Sequence, residues 1–462
     1  MRLGFLAIPL RVSNPLKPSS SARRDSGRAM SLQPSPVLRD ARPGPLPAAG
    51  LLRDIWRSTP VRLRRHLSGG TYRPEIDGLR FFAIAIVVVG HLAERLTRFF
   101  PGARALAEGT TLGDLVQRPG LGVYLFFAIS GFILASQAAR AKAHPLSGTF
   151  LRTYFGRRIL RIEPPYVVLL VATFLFIVAT GYSPEGAKQF ETAPASLGLS
   201  LAGSIVYLHG LVWGTFPRLF PPGWSLEIEV QFYVLAPLFF ALWFASARTG
   251  VRIALGVVGL AGGSLLSLTA PQSAGPLHLQ TSILLYLHFF WLGLVLSQAQ
   301  GWIAERLATM PPVVPNLLGW GGLALYLVVP NAPAADTGPH LAIGLVMRAA
   351  ALTGIAAMFA AVFAPCSSFR SLCARPWIAL IGGACYSLYL THLQVIQVTT
   401  SVAAKLLPGA GLATLAMLAA VQVIAVLCVG LTFYAVIERT FMRRDWPQAF
   451  WRLFVPAAPS GG

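Results

Sequence analysis

Long apolar runs separated by short polar breaks recur at about 78–99, 121–139, 164–182, 194–213, 226–245, 251–270, 280–298, 314–330, 341–364, 377–402 and 410–437. Most approach the ~20 residues that a helix needs to cross a ~30 Å hydrocarbon layer. The pattern predicts an all-α polytopic membrane protein. One membrane domain is the simplest organisation, because no internal repeat and no long soluble insertion interrupts the runs. The fourth run is the weakest, broken by Gly198, Gly203, His209 and Gly210. That composition predicts a re-entrant or interfacial segment, which is tolerated where protein buries the backbone.

Charge then decides how many runs cross. Residues 1–70 hold thirteen Lys and Arg against three Asp, so they supply +10 of the chain's +21. Rich also in Pro, Ser and Gly, they predict a disordered basic tail on the cytoplasmic side that leans on anionic lipid. No recognition motif accompanies the charge, so nucleic acid is not an expected partner. With the tail inside, the loop after the second run is inside too, and it carries Arg140, Lys142, Arg152, Arg157, Arg158 and Arg161. If all eleven runs crossed, Arg248 with Arg252, Arg306, Arg370 with Arg375, and Arg443 with Arg444 would fall outside, against the positive-inside rule. Removing one crossing among the third, fourth and fifth runs moves every cluster inside. The expectation is therefore about ten spans: a tail over 1–70, a membrane domain over 71–442, and a short cytoplasmic tail over 443–462.

Composition agrees, with 55% hydrophobic and 12% charged residues. The opening MRLGFLAIPLR does not read as a signal peptide, since its apolar core is short, holds Pro9 and ends at Arg11. Insertion through the first helix is expected, with Met30 as an alternative start. Cys366, Cys373, Cys385 and Cys428 show no CxxC spacing, and no histidine pair has HxxxH or HExxH spacing. Neither a disulfide framework nor a metal site is expected.

The stretch Tyr72 to His91, YRPEIDGLRFFAIAIVVVGH, runs a charged approach into an apolar helix that carries a histidine. Asp77 is placed to cap the helix. Arg80 and His91 are eleven residues apart, three turns plus about 20°, so they leave from one face about 16 Å apart along the axis. An arginine at the membrane surface would sit above a histidine at mid-bilayer, either as a functional pair or as a snorkelling anchor and a satisfied helix contact. Arg157, Arg158 and Arg161 precede the third run and share a helical face. They read either as a positive-inside anchor or as a phosphate clamp of guanidinium forks. Ser130, beside Gly131 in FFAISGFIL, reads first as a close-packing position, and no base adjacent in sequence would activate it. In PPGWSLEIEVQFY, Ser225 is placed to cap a helix and Glu227 to favour its first turn, whereas Glu229 lies deeper among apolar residues and is the better functional candidate. His392 in YSLYLTHL, like His209 and His288, reads first as a helix-to-helix hydrogen-bonding group.

Together these stretches resemble the acyltransferase-3 family of integral membrane O-acyltransferases. The resemblance rests on RPEIDGLR with Arg80 and His91, FFAISGFIL, the cluster Arg157, Arg158 and Arg161, WSLEIEVQFY with Glu229, YSLYLTH, and YAVIERTF with Glu438, in the family's order over residues 72–442. It implies transfer of an acyl group, most often acetyl, from cytoplasmic acyl-CoA to a sugar hydroxyl in a cell-envelope or exported glycan. It also implies a ten-span core in the bacterial inner membrane, with acyl-CoA as a substrate and no bound cofactor. Arg80 and His91 are implied to be essential, with Glu229 as a third catalytic candidate and the three arginines as donor-binding. Asp77, Ser130, Trp224, Tyr386, Tyr389 and His392 lie within the motifs and are candidates for the substrate pocket. Some members carry an esterase domain after the core, and this chain ends about twenty residues past Glu438, so none is expected here.

A histidine can take a proton from the attacking hydroxyl near neutral pH, so His91 is the expected general base. Arg80 would hold donor phosphate or support the histidine. A secondary transporter would also use membrane His, Glu and Arg, but inverted repeats are lacking. The membrane-bound O-acyltransferases use a buried histidine without these motifs, and a lipid or small-molecule acceptor is the alternative within the enzymes. The charge distribution predicts that reporter fusions place both termini and the Arg152–Arg161 loop in the cytoplasm. A C-terminus on the far side would restore all eleven crossings.

Overall fold

A computed structural model of the chain describes residues 58–63, 72–182, 194, 196–271, 276–329, 338–442 and 446. Most of the 1–70 and 443–462 tails thus lies outside the described residues. Residues 58–63, within the segment expected to be disordered, form a helical turn. Backbone carbonyls there accept from Tyr434 Oη at 3.2 Å and Arg439 Nη2 at 2.6 Å.

The described residues are all-helical. Pro74 and Pro119 start two helices, α1 (Pro74–Phe99) and α4 (Pro119–Arg140), where a missing N–H costs nothing. Between them lie two short pieces, α2 (Pro101–Ala107) and α3 (Thr111–Val116). Helix α5 (Gly148–Thr180) starts under a cap in which Ser147 Oγ accepts from Phe150 N–H, and stops at Gly181, whose φ of 63° suits a residue without Cβ. It contains both the arginine cluster and the third apolar run. The fourth run forms only α6 (Leu197–Ile205) and α7 (His209–Trp213), separated by Tyr207 at φ 58°. Neither approaches the length needed to cross a bilayer.

The bundle continues with α8 (Gly223–Phe244), α9 (Thr249–Thr269), α10 (Leu287–Ala308), α11 (Val313–Val328) and α12 (Gly338–Phe363). After α13 (Ser368–Cys373), helices α14 (Pro376–Gly383) and α15 (Cys385–Leu406) meet at a 72° bend, and α16 (Leu412–Phe433) follows. Among the described residues seven helices are long and apolar enough to cross a membrane, or eight if the bent pair is one span.

Two of the capping expectations are corrected. Helix α1 begins at Pro74, so Asp77 lies a turn inside it and pairs with Arg80. Helix α8 begins at Gly223, which leaves Ser225 inside the first turn, facing Pro222 O and Tyr389 Oη. Glu227 is fully buried and accepts from Gly210 N–H at 2.8 Å, tying the broken fourth run to α8. In both cases a proline begins or precedes the helix, so the polar residue that resembles a cap falls one turn too late.

Small residues bring the central helices together. Gly131 on α4 lies against the Phe290 carbonyl of α10, and Gly293 of α10 lies against the Ala128 carbonyl of α4. A Cβ at either would collide with backbone, which cannot rotate away. Gly131→Ala should therefore destabilise the bundle by about 1–3 kcal/mol, the usual cost of overpacking, and lower the thermal midpoint in detergent. Gly321→Ala, where a Cβ meets open space, should leave it unchanged.

Candidate active site

Two cavities meet at Arg80, Ile133 and Arg158, which line both. The larger, about 460 Å³, opens between the start of α1, the end of α4 and the start of α5. Its cations are Arg73, Arg80, Arg140, Lys142, Arg157 and Arg158, and Asp77 is its acid. The smaller, about 70 Å³, is lined by Ser130, Glu229, Tyr233, Ser225, Tyr386 and Tyr389, with Arg161 at its side.

The arginine cluster is divided by depth. Arg157 is exposed, Arg161 half-buried and Arg158 buried, so the three guanidiniums are not equivalent. Arg158 Nη2 donates to Gln137 Oε1 at 2.8 Å, and its guanidinium lies 5.9 Å from the Tyr233 ring centroid. On α1, Arg80 Nη1 donates to Asp77 Oδ1 at 2.6 Å, with both side chains buried. This is a charge-assisted contact that fixes the guanidinium between the two cavities.

In the smaller cavity Glu229 Oε1 accepts from Ser130 Oγ at 2.6 Å and from Tyr233 Oη at 2.5 Å. Ser130 therefore has the polar partner that its sequence neighbours lack, supplied by a helix 99 residues away. Tyr389 Oη donates to Pro222 O at 2.8 Å and touches Ser225 Oγ at 2.7 Å, while Tyr386 Oη donates to Ile162 O at 2.7 Å. Trp224 lines neither cavity and contacts Tyr286, ring centroids 5.6 Å apart.

His91 also lines neither cavity. Its Nδ1 is 2.7 Å from Glu94 Oε2, and because an ionised carboxylate only accepts, the ring donates there and leaves Nε2 as the acceptor. Its ring lies 5.3 Å from that of His392. His392 is fully buried, donates from Nδ1 to Tyr389 O at 2.6 Å, and leaves Nε2 without a partner. Tyr389 thus belongs to the small cavity and also holds the histidine that faces His91. Glu94 and Tyr233 were legible as i+3 and i+4 neighbours of His91 and Glu229. Gln137 carried no such signal. Among the described residues no group of three or more metal-ligating side chains is assembled.

A family model described as an acyltransferase domain matches residues 73–438. Acyltransferase MdmB of Streptomyces mycarofaciens is 31% identical over 174 residues, 37% of this chain and 39% of that protein. Peptidoglycan O-acetyltransferase OatA of Listeria monocytogenes is 25% identical over 341 residues, 72% of this chain and 50% of that protein. O-acetyltransferase OatA of Staphylococcus aureus is 28% identical over 175 residues, 36% of this chain and 24% of that protein. The chain thus spans half or less of the length of each of these relatives. No solved structure matches.

The burial pattern separates the three arginines experimentally. Arg158→Lys keeps the charge but loses the planar fork that reaches Gln137 and the Tyr233 ring, and should lower turnover at least about tenfold, the effect of one lost charge-assisted bond. Arg157→Lys, on the exposed rim, should change activity less than about twofold, as expected of a screened surface charge. Equal effects in a membrane acylation assay would contradict the depth ordering.

Proposed function

The chain belongs to the acyltransferase-3 family, whose model covers residues 73–438, and on that premise we propose that it is a membrane O-acyltransferase. It moves an acetyl group from acetyl-CoA to a hydroxyl of a cell-envelope or exported glycan. Its place is the bacterial inner membrane, with both termini cytoplasmic. Ten spans complete this proposal: the eight candidates, with Leu287–Ala308 and Val313–Val328 as the other two.

The observation that carries the reading is the position of Arg80, buried between a basic chamber and a small polar cavity on the same helix as His91. The chamber's guanidiniums and Lys142 suit the phosphates of a CoA donor. About 16 Å of helix axis separates Arg80 from His91. A CoA thioester fits that separation, since its phosphates and its reactive carbonyl lie at opposite ends of a long pantetheine arm. Arg158 and Arg161 line the way past Ser130 and Glu229.

His91 acts as general base. Glu94 holds Nδ1–H and so directs Nε2 toward the acceptor hydroxyl. As Nε2 takes the hydroxyl proton, the oxygen attacks the thioester carbonyl, a C–O bond forms and the C–S bond breaks. The proton then leaves with the CoA thiol. Glu94 stabilises the imidazolium in between, as a carboxylate does in a catalytic triad. The similarity to the peptidoglycan O-acetyltransferase of Listeria supports a glycan acceptor.

His91→Gln is the decisive variant. Glutamine can still hydrogen-bond a neighbour but cannot accept a proton at neutral pH. Incubating membranes with radiolabelled acetyl-CoA should show label in the glycan fraction for the parent protein and a loss of about 10²–10⁴ for the variant, at equal protein level. One lost interhelical hydrogen bond costs only about 0.6 kcal/mol, too little to unfold the bundle. Wild-type labelling by a well-inserted His91→Gln protein would return this histidine to a packing role.

A further inference from the structure

Arg348, in the third turn of α12, takes no part in the chemistry above. Its guanidinium lies over the Phe289 ring, 5.5 Å from the centroid, and its Nε is buried without a hydrogen-bond partner. Among the described residues no carboxylate pairs with it. Its electrostatic neighbours are the phenols of Tyr124, Tyr286 and Tyr326, and it lies close enough to act on the fully buried His288. A cation in a membrane helix without a counter-charge is expensive, and by default such a residue marks a functional site. Its missing partner is an anion.

The rings beside it form a connected surface. Tyr124 stacks on Phe289 at 4.8 Å and lies 5.7 Å from Tyr286, which lies 5.6 Å from Trp224. Tyr124, Tyr286 and Trp224 are each partly exposed, so the core does not seal them. Tyr and Trp combine an apolar face with a polar tip, which matches a pyranose ring, with its C–H patches and hydroxyl rim.

The position of this surface completes the argument. Tyr124 and Arg140 lie sixteen residues apart on α4, about 24 Å along the axis, and Arg140 lines the basic chamber. Ser130 and the small cavity fall between them, and Phe127, which lines that cavity, contacts Tyr286 at 5.7 Å. Basic chamber, polar cavity and aromatic surface therefore follow one another along the helix. We propose that Arg348, Tyr124, Tyr286 and Trp224 form the acceptor subsite, and that it selects a carbohydrate carrying an anionic group. The rings take the sugar face and Arg348 takes the carboxylate or phosphate. This rests on the acyltransferase reading but is tested by binding, which needs no turnover.

Thermal unfolding of the full chain in detergent is followed with an oligosaccharide of uronic acids, its carboxyl-reduced neutral counterpart, inorganic phosphate and phosphatidylglycerol. The uronic oligosaccharide should raise the midpoint of the parent protein well above any effect of its neutral counterpart. Loss of a charge-assisted contact is worth about tenfold or more in affinity, so Arg348→Gln should shift the titration at least that far. Arg348→Lys should keep part of the response, and Tyr286→Leu should weaken it with the cation intact, so an unstable Gln variant still leaves a result. No response in the parent protein, an equal response to the neutral sugar, or an unchanged titration in Arg348→Gln overturns the proposal. Stabilisation by phosphatidylglycerol or free phosphate without the oligosaccharide overturns it in favour of a lipid headgroup or simple anion site. Labelling of membranes from acetyl-CoA is measured in parallel, and its absence in the parent protein sinks the acyltransferase reading while leaving the binding result to stand or fall by itself.

Discussion

A guanidinium buried in an apolar bundle is costly unless it is paired or hydrogen-bonded, and Asp77 pairs with that of Arg80 at the junction of the two cavities. Removing one partner of such a pair typically costs 3–5 kcal/mol, because the other charge is left stranded. The pair also constrains the backbone around it. Gly382 packs against the Asp77 carbonyl so closely that any Cβ would collide with it, and Gly383 lies beside the Asp77 carboxylate. The end of α14 is thereby held against the first turns of α1, just before the 72° bend into α15. That bend delivers Tyr386 and Tyr389 to the small cavity and His392 to the ring of His91.

The same constraint governs the rest of the polar interior. Glu229 is held by two hydroxyls, from Ser130 and Tyr233, and Arg158 by the Gln137 amide at Nη2 and the Tyr233 ring, with its Nε left without a partner. Hydroxyl donors fix the position of a carboxyl group without forming an ion pair with it. His91 and Glu94 form a second group three residues apart on one helix, joined to the first through His392 and Tyr389. Half-buried Arg348 differs in having no side-chain acceptor recorded among the described residues, its guanidinium lying over the Phe289 ring with Nε unpartnered.

Much of this was legible before any coordinates. Apolar periodicity and the placement of arginines indicated an all-helical membrane protein and singled out the fourth run, which forms two short helices. The short motifs indicated the family. Contacts within one helix were accessible too, since Arg80 with Asp77, His91 with Glu94 and Glu229 with Tyr233 all follow from three- and four-residue spacing. The capping expectations for Asp77 and Ser225 failed for a local reason, because a proline at the boundary starts the helix earlier than the polar residue suggests.

Contacts between helices were beyond the sequence. Ser130 meets Glu229 across 99 positions, Tyr386 reaches Ile162 across 224, and nothing near Arg158 in the chain indicates that it is the buried member of its cluster. The hydrophobic pattern of a helix fixes that it crosses and which residues are polar. It does not fix how the helix is rotated about its axis, because lipid and protein neighbours are both apolar and a membrane exerts little hydrophobic pull between helices. Rotation is decided by where glycines allow two backbones to touch, as Gly131 and Gly293 do. Those contacts, visible only in the folded bundle, determine which polar side chains share a cavity.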